Sequence, residues 1–193
     1  MKINSEQQTM SDKCVMVLAV LCVLSVCLSG AQAQDIPVTT KQAILKAQDS
    51  RDAAALSEFF KDPSAGVRER AALAAASVQD VVHITPLIML LDDTAPEVRE
   101  GAALALGQMT AVVDSTQRRG ISDQLVKRLA AEQDEFVSMR IAEALGKVGD
   151  AASLSALLQR AGQGNPTSIE WEIALSVGRY AYRGIKDRNA AGY

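Results

Sequence analysis

The sequence predicts an all-α fold, an α-solenoid of about four stacked helix–turn–helix repeats. The pattern EVREGAALALGQM at 97–109 recurs as FVSMRIAEALGKV at 136–148, as GVRERAALAAASV at 66–78 and, shortened, as IEWEIALSVG at 169–178. When the copies are aligned, residues 76, 107, 146 and 178 occupy the same position, and they are 31, 39 and 32 residues apart. Periods of this size are typical of stacked helical repeats. Only 4% of the residues are aromatic, which disfavours a sheet.

Small and apolar residues occupy the same columns in all four copies, at offsets 0, 4, 5, 7 and 8 from the first. In order of unit these columns are Val67, Val98, Val137, Ile169; Ala71, Ala102, Ile141, Ile173; Ala72, Ala103, Ala142, Ala174; Ala74, Ala105, Ala144, Ser176; and Ala75, Leu106, Leu145, Val177. Such offsets lie on one face of an α-helix, which we take as the second helix of each unit. Alanines on that face let neighbouring helices approach closely.

A first helix precedes each second helix. Its columns lie eleven and eight residues before the first column of the second helix: Leu56, Leu87, Val126, Leu158, and Phe59, Leu90, Leu129, Ala161. Because these columns align without gaps, each unit is predicted to be a rigid helix–turn–helix of fixed length. Helices are predicted to begin at Asp62-Pro63, Thr85-Pro86 and Asn165-Pro166. They are predicted to end at the glycines 107, 146 and 178.

The remaining segments are predicted from the edges of this pattern. Residues 34–50 form a linker and a capping helix near Thr40 to Gln48, residues 51–183 form the repeat domain, and residues 184–193 form a polar tail. The wider spacing between the second and third units places eight extra residues within 110–121. We expect a tolerated loop or an extra helical turn there, and a binding edge is the alternative.

The N-terminus has the features of a secretory signal peptide, residues 1–33. Residues 14–30 are apolar and uncharged, and Ala31-Gln32-Ala33 supplies small residues for cleavage before Gln34. We therefore expect export, to the periplasm, with a retained membrane anchor or a lipoprotein modified at Cys27 as alternatives. Membrane association is expected only in those two cases. All three cysteines lie in this segment, so the mature chain would have none.

The phrases VREGAALALG and RIAEALGKVGD resemble HEAT repeats, specifically the Ala-rich HEAT-like repeats of phycobilisome lyases. The resemblance covers Arg51 to about Arg183. It implies an α-solenoid with its second helices on the inner face, and a role in binding other proteins. It also implies a structural ladder in which Arg68 and Arg99 bind turn carboxylates or carbonyls of adjacent repeats, with Asp62 and Asp93 as the turn residues. The ladder positions depart from the pattern at four later residues: Ser138, Glu170, Glu132 and Gly164.

The sequence offers no recognisable catalytic, cofactor or metal site. His83 is the only histidine, and without cysteine it lacks the three or four ligands that zinc or iron needs, so we interpret it as a turn histidine. Acidic clusters at 92–93 and 132–135 lack the spacing of a calcium loop and are expected near helix N-termini. We therefore expect a protein that is not an enzyme and carries no cofactor. The net charge of −3 predicts no binding of nucleic acid.

The inner face of the second helices is the candidate binding surface for another protein. Positions opposite the core columns should be polar if no partner binds, yet several are apolar or aromatic. The candidates are Leu73, Leu104, Met139, Arg140, Trp171 and Leu175. The alternative is that the leucines pack against their own first helices and that Trp171 closes the C-terminal end of the core. The sequence thus predicts an exported interaction module or scaffold. The alternatives are a bilin-lyase-like or chaperone-like subunit that handles a bound ligand, and a structural part of a larger envelope assembly.

Overall fold

The structure, a computed structural model, describes residues 36–161 and 168–186, which all belong to one compact unit. The signal segment, Gly164, Asn165-Pro166 and most of the predicted tail lie outside the described residues. The described α-helices are α1 (Val38–Asp49), α2 (Ala53–Ser57), α3 (Ala65–Val78), α4 (Ile84–Leu90), α5 (Pro96–Gln108), α6 (Ser115–Ala131), α7 (Glu135–Val148), α8 (Ala151–Ala161) and α9 (Ser168–Tyr182).

The helices form an α-solenoid, which confirms the predicted fold class. Four pairs follow one another: α2 with α3, α4 with α5, α6 with α7, and α8 with α9. The second helices α3, α5, α7 and α9 pack on one another in chain order, whereas successive first helices touch far less. We call α3, α5, α7 and α9 the inner row. Helix α1 packs on α3 and so covers the N-terminal end of this row.

The aligned columns form the core of the inner row. Every column residue of α3, α5 and α7 is buried. In α9 the columns at offsets 0, 4 and 7 are buried, while Ala174 is exposed and Val177 half-buried. The repeated pattern therefore reflects the same helix packing in each unit. Within the described residues, α9 packs on one other second helix, α7.

The prediction of units with a fixed length is wrong. Helix α4 ends at Leu90 and α5 begins at Pro96, whereas α6 ends at Ala131 and α7 begins at Glu135. In α8 the predicted core residue Leu158 is 41% exposed, and Leu154 and Leu157 are buried in its place. The first helix of the fourth unit is therefore turned relative to the predicted columns, since one residue of register turns a helix by about 100°.

The predicted role of the three glycines as helix ends is also wrong. Gly107, Gly146 and Gly178 lie inside α5, α7 and α9. A Cβ atom at Gly107 would lie 3.0 Å from Ala144 of the next second helix. At Gly146 it would lie 2.5 Å from the Ser176 hydroxyl and 3.0 Å from the Ser176 Cα. These two glycines therefore permit close helix contact, while a Cβ at Gly178 would meet none of the described residues within 4 Å.

The extra residues between the second and third units are helical. Helix α6 has 17 residues, compared with 7 in α4. It begins with a capping box, in which the Gln117 amide N–H donates to Asp114 Oδ1 (2.8 Å) and the Asp114 N–H donates to Gln117 Oε1 (3.1 Å). The insertion is thus an extension of a first helix, as the added-turn alternative predicts.

Candidate protein-binding surface

Arg68 ties the first unit to the turn of the second, and Arg99 ties the second unit to the turn of the third. Arg68 donates from Nε and Nη2 to the Asp93 carboxylate at 2.7 and 2.8 Å, and its Nη1 donates to the carbonyls of Asp62 and Pro63. Arg99 binds the Glu132 carboxylate in the same way, with both bonds at 2.8 Å. Its Nη1 donates to the carbonyls of Asp93 and Thr94. The forked guanidinium matches a carboxylate with two parallel bonds, which fixes the angle between units.

The carboxylates of Asp62 and Asp93 also accept hydrogen bonds within their own turns. Asp62 accepts from the Ser64 amide and Asp93 from the Ala95 amide. Burial alone would raise the pKa of Asp93, but the bonds from Arg68 and from the Ala95 amide outweigh it and lower that pKa. Asp62 and Asp93 therefore have structural roles. Ser138 is buried at the position where a third arginine would lie, so the series of arginines stops at Arg99.

Glu132 is the most heavily bonded of the turn carboxylates. Its side chain is 1% exposed and accepts from Arg99, Arg128 and the amides of Gln133 and Asp134. Burial opposes ionisation, yet these donors together lower the pKa of Glu132 to about 2. The sequence marks Glu132 only as a departure from the repeat pattern, so its central position was not predicted.

The predicted contact residues of the first three units offer little free surface. Leu73, Leu104 and Met139 are half-buried and lie on three different helices, and Met139 packs against the core. Arg140 bridges Glu100 of α5, at 3.0 Å, and Glu143 of its own helix. An exposed aromatic that the sequence analysis missed, Phe136, lies in the first turn of α7 and is 72% exposed.

Helix α9 brings the other two predicted contact residues together. Trp171 is 77% exposed and Leu175, one turn later, is 59% exposed. Tyr182, which the sequence analysis missed, continues the same stripe and is 93% exposed. Trp171 does not close the core; the buried Tyr180 does so, with its hydroxyl 2.8 Å from Ser153 Oγ.

Tyr180 could have been found from the repeat pattern. It lies eleven residues after the first column of its unit, where the other units have Val78, Met109 and Val148, all buried. Offset 11 continues the face defined by offsets 0, 4 and 7. Tyr182 has no such signal, because its exposure depends on what packs beside α9.

The stripe borders a face of α9 that is covered in the other units. Ala142 and Gly146 of α7 are buried, and Gly146 lies against Ser176 of α9. Their equivalents in α9 are Ala174 and Gly178, and both are exposed. The C-terminal end of the inner row therefore presents a surface that packs against a helix elsewhere in this protein.

His83 lies in a turn, as predicted, and is also part of the core. It is fully buried in the 3₁₀ turn Val81–His83, with its ring edge-to-face on Phe60 at 5.3 Å. Its Nε2 lies 2.9 Å from the Ala53 carbonyl, so Nε2–H donates there. Among the described residues, no group of three or more His, Cys, Asp or Glu could hold a metal ion. No helix in the same ranges is long and apolar enough to cross a membrane.

Comparison with known proteins supports the repeat assignment. Residues 53–118 match the family model of HEAT repeats, which spans α2 to the first turn of α6. A search of the curated proteins found no match. Neither comparison shows the more particular resemblance to phycobilisome lyases. HEAT repeats commonly mediate contacts between proteins and are generally non-enzymatic. Over residues 53–118 the chain is therefore similar to HEAT repeats, and α7 and α9 continue the same row of packed second helices beyond the match.

Proposed function

We propose that this protein is an exported interaction module that binds a partner protein on the exposed face of α9. One observation carries the proposal: Trp171, Leu175 and Tyr182 form a stripe of large exposed side chains along a single helix. Aromatic residues are enriched at the centres of protein interfaces, where their burial contributes most of the binding energy.

The position of the stripe supports the same conclusion. It adjoins Ala174 and Gly178, whose equivalents in α7 are covered by another helix. A partner that occupies this position would extend the packing that already joins α5 to α7 and α7 to α9. Leu73, Leu104, Met139 and Arg140 would then be secondary contacts, since the first three are half-buried and Arg140 is held by two carboxylates.

Replacing Trp171 with alanine should weaken capture of the partner by about 2 kcal/mol or more, about a 30-fold loss of affinity. The melting temperature should stay nearly unchanged, because an exposed side chain contributes little to folding. Affinity purification from the native host, followed by quantitative binding of the captured protein, measures the first effect, and calorimetry measures the second. Met89→Ala is the control, since Met89 is 67% exposed on the first helix α4. Equal capture by both variants would rule out the α9 surface.

Export is the second part of the proposal and rests on the sequence of residues 1–33. Protein isolated from the native host should begin at Gln34, because signal peptidase requires the small residues that Ala31 and Ala33 supply. Mass spectrometry of the intact protein checks this. A mass that includes the uncleaved segment would indicate an anchor or no export, and a lipid on Cys27 would indicate a lipoprotein.

A further inference from the structure

The groove beside the α9 stripe is basic. It has a volume of about 600 Å³, and Leu175, Gly178 and Tyr182 form its apolar side. Among the described residues, four more that line the groove are charged, and all four are cations: Arg118, Lys147, Arg179 and Arg183. The groove therefore combines an apolar helix face with a concentration of positive charge.

Two of these cations are already neutralised. Lys147 donates to Glu143 at 2.8 Å, and Arg179 donates to Glu172 of its own helix at 2.6 Å. Each pair joins one cation to one carboxylate of the same helix, so the pair contributes no net charge to the groove.

The other two cations have no carboxylate bonded to them within the described residues. Arg118 donates from Nη2 to the Thr110 carbonyl, while its buried Nε has no hydrogen-bond partner there. Arg183 lies over the Tyr180 ring at 4.9 Å, and its buried Nε and Nη2 have no partner in the same part of the chain. Burial is the largest cause that lowers the pKa of Arg183; Arg118 also lowers it, while Tyr180 and Asp150 act in the opposite direction without outweighing burial. An anionic group in the groove would further stabilise this charge.

The internal helix contacts indicate the shape that fits beside this charge. Where α9 packs on α7, Ser176 approaches Gly146 so closely that a Cβ on that glycine would lie 2.8 Å from the Ser176 Cβ. Gly178 is the equivalent position on α9, and no described residue lies within 4 Å of a Cβ placed there. A helix with a small residue at the contact can therefore approach Gly178 as α9 approaches α7.

We propose that the partner docks on α9 as an acidic amphipathic helix. Its apolar face covers Leu175 and Tyr182, a small residue lies against Gly178, and carboxylates lie toward Arg118 and Arg183. The inference rests on the proposed function and adds the chemistry of the partner to it.

The test uses the intact protein and a synthetic helical peptide of about 20 residues, since shorter isolated helices are marginal in water. The peptide carries alanine and leucine on one face and glutamate on its flanks, and a control peptide has lysine at every glutamate position. Trp171 is the only tryptophan in the chain, so its emission reports binding at α9 directly. The glutamate peptide should bind at least about tenfold more tightly than the lysine peptide, as one charge-assisted hydrogen bond implies, and added salt should reduce the difference.

Variants locate the binding. Gly178→Leu should abolish binding of the glutamate peptide by filling the contact position, whereas Gly120→Leu, also at a helix position with nothing within 4 Å, should not. Arg118→Gln combined with Arg183→Gln should remove the preference for glutamate over lysine. Lys127→Gln, at an exposed residue on α6, should leave that preference unchanged.

The outcomes separate this inference from the proposed function. Equal binding of the two peptides, lost in Gly178→Leu, would overturn the acidic partner but leave docking on α9 in place. Absence of any emission change with either peptide would overturn the acidic helix, and the Trp171→Ala capture experiment would then decide docking on α9 independently. Sedimentation of the protein alone tests whether a second copy occupies this surface. A dimer that Gly178→Leu abolishes would identify a second copy as the occupant and overturn the inference.

Discussion

Replacing Glu132 with alanine should lower the free energy of unfolding by about 3 to 5 kcal/mol, because it leaves buried guanidinium charge without its counterion. Arg99 and Arg128 are 11% and 19% exposed, and both bind this carboxylate. The amides of Gln133 and Asp134 would lose the same acceptor. Urea unfolding at neutral pH, followed by circular dichroism, measures the loss.

Asp92→Ala provides the matched control. Asp92 also pairs with Arg128, at 3.3 Å, but its side chain is 77% exposed. Exposed ion pairs contribute little because water screens them, so this change should cost about 0.5 kcal/mol or less. Similar losses in the two variants would show that burial of Glu132 is not what makes its network stabilising.

The effect of Glu132 should disappear in acid. Its pKa is lowered from 4.5 to about 2 in the folded protein. Its contribution is therefore complete above about pH 4.5 and is lost as the pH falls through about 2, and the shift is equivalent to about 3 kcal/mol. The difference in stability between wild type and Glu132→Ala should narrow across this range. A difference that stays constant down to pH 2 would contradict the lowered pKa.

Replacing Gly146 with alanine should destabilise the protein by about 1 to 3 kcal/mol, although alanine favours helix. The new Cβ would lie 2.5 Å from Ser176 Oγ and 3.0 Å from the Ser176 Cα, so α7 and α9 would have to move apart. That movement would also stretch the 2.8 Å bond from Ser176 Oγ to the Ala142 carbonyl. Thermal unfolding measures the change.

Gly178→Ala is the opposite experiment at the equivalent position of the next unit. It adds the same methyl group to a helix interior, but no residue in the described part of the chain lies within 4 Å of that methyl group. It should therefore stabilise the protein by about 0.5 to 1 kcal/mol, the propensity difference between the two residues. If both substitutions stabilised the protein, close contact at Gly146 would be refuted.

The inner row could be predicted because its signal is local and repeated. Val67, Val98, Val137 and Ile169 mark a helix face at a fixed position in four units, and all four are buried. A residue that recurs at the same offset lies on the same helix face in each unit, so periodicity identifies the core face wherever a neighbouring helix covers it.

The turn network could be predicted only in part. The resemblance to HEAT repeats pointed to Arg68 and Arg99, and the structure places each on a carboxylate of the following unit. Glu132 receives a second arginine, Arg128, from its own first helix. That contact depends on the length and rotation of α6, which the repeat pattern does not contain.

The sequence was enough to establish the helical class, the number of units and the core columns of α3, α5 and α7, because these depend on spacing along single helices. Tertiary structure decided the roles of Gly146 and Gly178, which occupy the same position in the repeat but differ in whether a described helix packs against them. It also decided that Trp171 is exposed while Tyr180 closes the core. The physical reason is that the exposure of a helix face depends on what packs against it, and the pattern within one helix does not contain that information.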